Sequence, residues 1–116
     1  MQSNQHTLKK IYFFQGKGLH TGTYAHMKLL PAAVDTGIVF RRTDLRSKPE
    51  IEAVADNVTN SDRSTTISHN EAVVVTIEHL MSAFTGLGID NALVELDNEE
   101  VPILDGSAKP YVEAIM

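Results

Sequence analysis

Apolar and polar side chains alternate along much of the first half of the chain, and a period of two predicts strands. Residues 10–15 are rich in Ile, Tyr and Phe, residues 23–30 alternate, and residues 37–41 form a short β-branched run. Turn chemistry at 16–18, Pro31 and 35–37 separates them. A second group of strands is predicted at 51–54 and 63–68, and the apolar run 71–75 leads to a change of period at Thr76. From there Ile77, Leu80, Met81, Phe84 and Leu87 recur at three- and four-residue spacing, which lines one face of a helix. Thr76 is the predicted N-cap and Gly86 or Gly88 the predicted stop. Residues 92–96 read as a further strand, central in its sheet. Ser107 is placed to cap a second helix, with Pro110 in its first turn and Tyr111, Val112, Ala114 and Ile115 following. That helix carries no C-terminal signal before Met116, so the pattern predicts a natural continuation. The element count predicts an α+β fold: a two-layer sandwich, with a mixed sheet and two helices packed on one face.

Composition narrows this picture. With 116 residues, 42% of them apolar, and no repeat or linker tract, the chain is expected to form one domain over 1–116 around one core. Cysteine is absent, which removes disulfide scaffolds, thiolate metal sites and Cys nucleophiles; any metal must be held by His, Asp or Glu. A formal charge of −5 opposes binding to nucleic acid or an acidic membrane surface, and Lys9, Lys10, Arg41, Arg42 and Arg46 are scattered. Residues 1–7 are polar and the apolar run 11–14 is short, so neither a signal peptide nor a membrane span is predicted. A cytoplasmic protein is the resulting expectation.

Three segments could carry chemistry. Glu78 and His79 open the amphipathic helix on the side away from its apolar stripe, about 100° apart, so both could approach one point above the helix start. An ion there could be held by His79 while Glu78 handles a proton. The spacing is not HExxH, so other ligands must come from elsewhere. Read alone, the pair is equally a carboxylate complementing the helix dipole beside a partly exposed imidazole. The glycine-rich stretch 16–22 lacks the third glycine of a dinucleotide fingerprint and leads into a strand, which excludes Rossmann and P-loop roles; a tight turn with a bulge remains, with His20 at its tip. Asp105, just ahead of the second helix, either caps that turn or reaches a site histidine. His6, His26 and His69 have no partner at ligand spacing and read as structural or surface residues.

In order, GKGLHTG, GIVFRRTD, RSTTI, TIEHLMSAFTGLGIDNALVEL and EVPILDGSAKPYVEAI run nearly end to end, and together they resemble the UDP-3-O-acyl-N-acetylglucosamine deacetylase family, the zinc enzymes of lipid A biosynthesis in Gram-negative bacteria. The resemblance implies that His79 is a zinc ligand and that Glu78 is the general base toward zinc-activated water in hydrolysis of an acetamide, with release of acetate. It also implies that Leu19 and His20 line the substrate side, that Ser64 lies on a loop beside the bound ligand, and that Asp105 is a supporting carboxylate on the active-site side.

The family's fold is two similar layered α+β domains whose helix layers face each other across zinc and substrate. By this resemblance the chain corresponds to the first. The remaining zinc ligands, a His and an Asp, and the general-acid His belong to a second domain with no counterpart here. The 116-residue chain is therefore expected to lack activity without that partner. The alternative is a free-standing, non-catalytic binding module of the same fold, for which an intact Glu78-His79 pair has no evident use.

Overall fold

A computed structural model describes residues 4–60, 65–69 and 72–116. The alternating segments form β1 (Tyr12–Lys17), β2 (Tyr24–Pro31), β3 (Ile38–Arg42) and β4 (Glu50–Glu52), joined later in the chain by β8 (Ala92–Leu96). They make one sheet in the order β1-β2-β8-β3-β4. Only β3 and β8 run parallel; the other neighbours are antiparallel, so the sheet is mixed. β8 sits in the middle, as its unbroken Ala-Leu-Val-Glu-Leu run predicts, with Ala92, Val94 and Leu96 fully buried.

The inward positions of β2 and β8 meet Phe40 of β3 and Ile51 of β4 beneath two helices, α1 (Glu78–Leu87) and α2 (Lys109–Ile115). The amphipathic stripe does what its spacing requires: Leu80, Ala83 and Phe84 are buried, and Gly88 ends α1 in the left-handed conformation at φ 72°. Phe14 of β1 meets Tyr111 of α2 edge to face, with ring centroids 4.9 Å apart. The Tyr111 hydroxyl donates to the Pro102 carbonyl at 2.9 Å. Burial, and then the Asp105 charge, push its pKa upward.

The second predicted group of strands is split: the one at 51–54 is β4 of the large sheet, and the later ones belong to a smaller sheet. β5 (Val58–Asn60), β6 (Thr66–His69) and β7 (Ala72–Val75) are antiparallel neighbours in that order, following a 3-10 turn at Ala55–Asn57. The first part of the predicted 63–68 strand, and Glu71, lie outside the described residues. Ile67, Ala72 and Val74 turn into the same apolar cluster as the large sheet. The buried Arg42, on β3, bridges the two sheets: its Nη1 donates to the Val73 carbonyl at 2.8 Å, while Nε and Nη2 form a fork on Asp44 at 2.9 and 2.7 Å. The guanidinium hydrogen bond holds the Asp44 carboxyl below the usual carboxylate range, against the opposing effect of burial.

No helix among the described residues is long and apolar enough to cross a membrane. Arg42→Ala removes the link between the sheets and leaves Asp44 without its fork. Because Asp44 keeps partial access to water, the expected loss is about 2 kcal/mol rather than that of a fully buried broken pair. Urea unfolding measures it, and an unchanged midpoint would show that the bridge contributes nothing.

Candidate active site

β7 delivers the chain to Thr76, and α1 begins two residues later. The predicted capping role of Thr76 is not what the structure has. Ile77 occupies the N-cap position without a side-chain cap, and Thr76 sits at φ 65°, in the left-handed region that a β-branched residue avoids. Its hydroxyl is engaged elsewhere, donating to Glu100 Oε2 at 2.6 Å. A tertiary contact 24 residues away has overridden the local capping preference.

Glu78 and His79 occupy the first turn of α1, both half-buried. Glu78 Oε1 accepts the Thr65 backbone N–H at 3.0 Å, while the Thr65 carbonyl accepts the N–H groups of Thr76 and Ile77 at 2.9 and 3.3 Å. The segment entering β6 is thus tied to the helix start from both sides. Ser64, the residue before it, lies outside the described residues. The ring of His79 has no hydrogen-bond partner among the described residues. A largely apolar groove along α1 is lined by Val54, Val58, Ile67, Ile77 and Met81, with Glu78 among its polar lining residues.

The glycine-rich stretch divides differently from the expected tight turn at 16–18. β1 continues through Lys17, and the reversal spans Gly18 to Thr23, closed by Gly18 N–H to Thr23 O at 3.0 Å and Gly22 N–H to Gly18 O at 3.1 Å. Gly22 is needed for its φ of 68°. Gly18 is needed for space: a Cβ there would lie 2.3 Å from Glu100 Oε1. Leu19, 57% exposed, and His20, also exposed, stand at the tip.

Glu100 is the residue that sequence reasoning missed. It is 1% exposed, and its carboxylate accepts the His20 N–H at 3.0 and 3.1 Å, the Thr21 N–H at 2.8 Å and the Thr76 hydroxyl. Burial alone would raise its pKa, but the Thr76, Thr21 and His20 hydrogen bonds outweigh it and hold the carboxyl below its ordinary value. The segment around it is threaded between motifs: Val75 N–H donates to Glu99 O at 2.7 Å, Val101 N–H to Val75 O at 3.1 Å, and Ile103 N–H to Lys17 O at 2.9 Å. The glycine-rich loop, the start of α1 and the stretch 99–103 therefore meet at one buried carboxylate.

Asp105 takes the local role. It is exposed, and its Oδ1 accepts both the N–H and the hydroxyl of Ser107, at 2.9 and 2.7 Å. Ser107 in turn accepts the Lys109 N–H at 3.2 Å, the bond expected of a cap, although Ala108 holds the N-cap position. Among the described residues no hydrogen bond or ion pair joins Asp105, Leu19 or the His20 side chain to Glu78 or His79; the coupling to the loop runs through backbone groups. Among the described residues no group of three or more His, Asp or Glu side chains could hold a metal ion.

The fold and site define an α+β domain whose amphipathic helix opens on a carboxylate and an imidazole. The family model described as UDP-3-O-acyl N-acetylglycosamine deacetylase (LpxC) matches residues 5–116, and the chain belongs to that family. Over 93% of its length it is 54% identical to a UDP-3-O-acyl-N-acetylglucosamine deacetylase of Nitrosococcus oceani, and over 96% it is 55% identical to one of Citrifermentans bemidjiense. It is also 50% identical to a bifunctional enzyme LpxC/FabZ of Porphyromonas gingivalis. The chain spans 36% of the length of each of the first two relatives and 24% of the third.

Because the folded-state pKa of Glu100 lies below the unfolded one, its stabilisation is complete at neutral pH and drains away as pH falls through about 4 and below. The gap in urea midpoint between the wild type and Glu100→Gln is therefore expected to be widest near neutrality and to close on acidification. A gap constant with pH would contradict the depressed pKa.

Proposed function

We propose that this chain is the first domain of a zinc-dependent deacetylase that hydrolyses the acetamide of UDP-3-O-acyl-N-acetylglucosamine in lipid A biosynthesis, releasing acetate. The observation that carries the reading is the Glu78-His79 pair in the first turn of α1, in a chain of this family that spans about a third of its relatives' length.

The residues present fit zinc as one arm of a site. His79 offers a half-exposed imidazole with no competing hydrogen bond among the described residues, and among those residues no group of three or more ligand-type side chains gathers around it. A catalytic zinc site takes three protein ligands and keeps one open position, so the remaining donors come from the part of the protein beyond this chain. Zinc, when bound, supplies Lewis acidity, lowering the pKa of a ligated water and polarising the acetamide carbonyl.

Glu78 takes the proton from the attacking water. Its Oε1 is held by the Thr65 N–H, which fixes the carboxylate and leaves the other oxygen for proton transfer. As the C–N bond breaks, the departing amine takes its proton from a group outside this chain. Leu19, His20 and Ser64 are assigned to the substrate side, and Asp105 supports the turn that leads into α2. The missing C-terminal segment is the partner that completes the site.

In the complete protein, Glu78→Ala is expected to lower turnover by roughly 10²- to 10⁴-fold while zinc content stays near wild type. His79→Ala is expected to lose metal; full zinc retention in that variant would remove His79 from the ligand set. The 116-residue chain alone is expected to show no deacetylation and no stoichiometric zinc. Robust turnover by the chain alone would overturn the half-site reading.

A further inference from the structure

A buried carboxylate met by neutral donors is an unusual choice for a position that an apolar side chain could fill at lower cost. What distinguishes Glu100 is what its donors belong to. His20 and Thr21 lie 80 and 79 residues earlier in the chain, in the loop that presents Leu19 and His20. Thr76, 24 residues earlier, is the second residue ahead of Glu78. Two further features bear on this carboxylate. A Cβ at Gly18 would meet Glu100 Oε1 at 2.3 Å and Thr21 Oγ1 at 2.8 Å, and Thr76 sits at φ 65° with its hydroxyl on Glu100 and its N–H on the Thr65 carbonyl. A β-branched residue in that region stores backbone strain and persists only when its surroundings hold it there.

We infer that Glu100 is a positioning residue: its carboxylate sets the placement of the His20 loop relative to the Glu78-His79 pair, acting through the backbone of 20–21 and the hydroxyl of Thr76. The catalytic consequence rests on the deacetylase reading above; the mechanical coupling does not. If Glu100 only anchored the fold, losing it would lower stability without moving the helix start. If it positions the pair, removing the Thr76 link alone moves Glu78 and His79 while β8 and the rest of the large sheet stay in place.

Two measurements separate these cases. On the 116-residue chain, amide NMR spectra are compared for wild type, Glu100→Gln, Thr76→Val and Thr76→Ser. Glu100→Gln should shift the amides of His20, Thr21, Glu78 and His79 together, Thr76→Val should shift Glu78 and His79, and Thr76→Ser, which keeps the hydroxyl, should leave them near their wild-type positions. Shifts confined to His20 and Thr21 in Glu100→Gln, or equal shifts in the two Thr76 variants, would overturn the coupling. Should Glu100→Gln fail to fold, the Thr76 pair decides the matter.

In the complete protein, Thr76→Val is expected to lower kcat by roughly tenfold to a hundredfold, the effect of a misplacement on the order of 1 Å, with zinc content close to wild type when assayed well below the variant's thermal midpoint. Thr76→Ser should restore most of the loss. Unchanged kcat in Thr76→Val, against an active wild type, would overturn the catalytic part of the inference. An inactive wild type would instead sink the deacetylase reading and leave the NMR result standing.

Discussion

Removing a carboxylate from water is tolerable only where donors replace the water, and at Glu100 those donors come from two separate stretches of chain, the loop at His20-Thr21 and Thr76. Their convergence constrains much else. The side chain of Gly18 must be absent, the backbone of Thr76 must turn left-handed, and the stretch 99–103 must run between the end of β1 and the end of β7. Satisfied in this way, the charge is a rigid node; with one donor missing, it is an exposed cost. The large sheet and its two helices supply the hydrophobic support, but the node decides how the motif-bearing segments meet.

The chemistry follows from that arrangement. A short step beyond the strained Thr76, α1 begins with a carboxylate held by one oxygen and an imidazole with no competing partner among the described residues. Arg42 fixes the sheet that carries Thr76 to the larger one through the Val73 carbonyl, so the helix start is referenced to both sheets. The first of the relatives is about three times as long as this chain. The buried network serves rigidity at the helix start.

Much of the fold was legible because alternation and helical spacing report burial directly. β1, β2, β3 and β8 fall within about two residues of their predicted positions, β8 is central, and α1 stops at Gly88. The separateness of the small sheet was not legible, since strands of three and four residues carry no signal for which neighbour they will pair with. Thr76 misled because capping preference is local, while its hydroxyl answers to a residue far along the chain. Glu100 was hidden for the opposite reason: beside Glu99 it reads as part of a solvated acidic pair, and only pairing of its backbone with Val75 carries it inside. The Glu78-His79 pair could be found from its place at the helix start, but one histidine has no ligand spacing to match, so a metal reading of it came from the family resemblance alone.

The most direct test is zinc-edge anomalous diffraction from crystals of the complete protein. The half-site reading predicts a single strong peak about 2.0–2.1 Å from a ring nitrogen of His79, with the Glu78 carboxylate beside it but outside the coordination sphere. A zinc peak remote from His79, in protein that hydrolyses the acetamide, would contradict it.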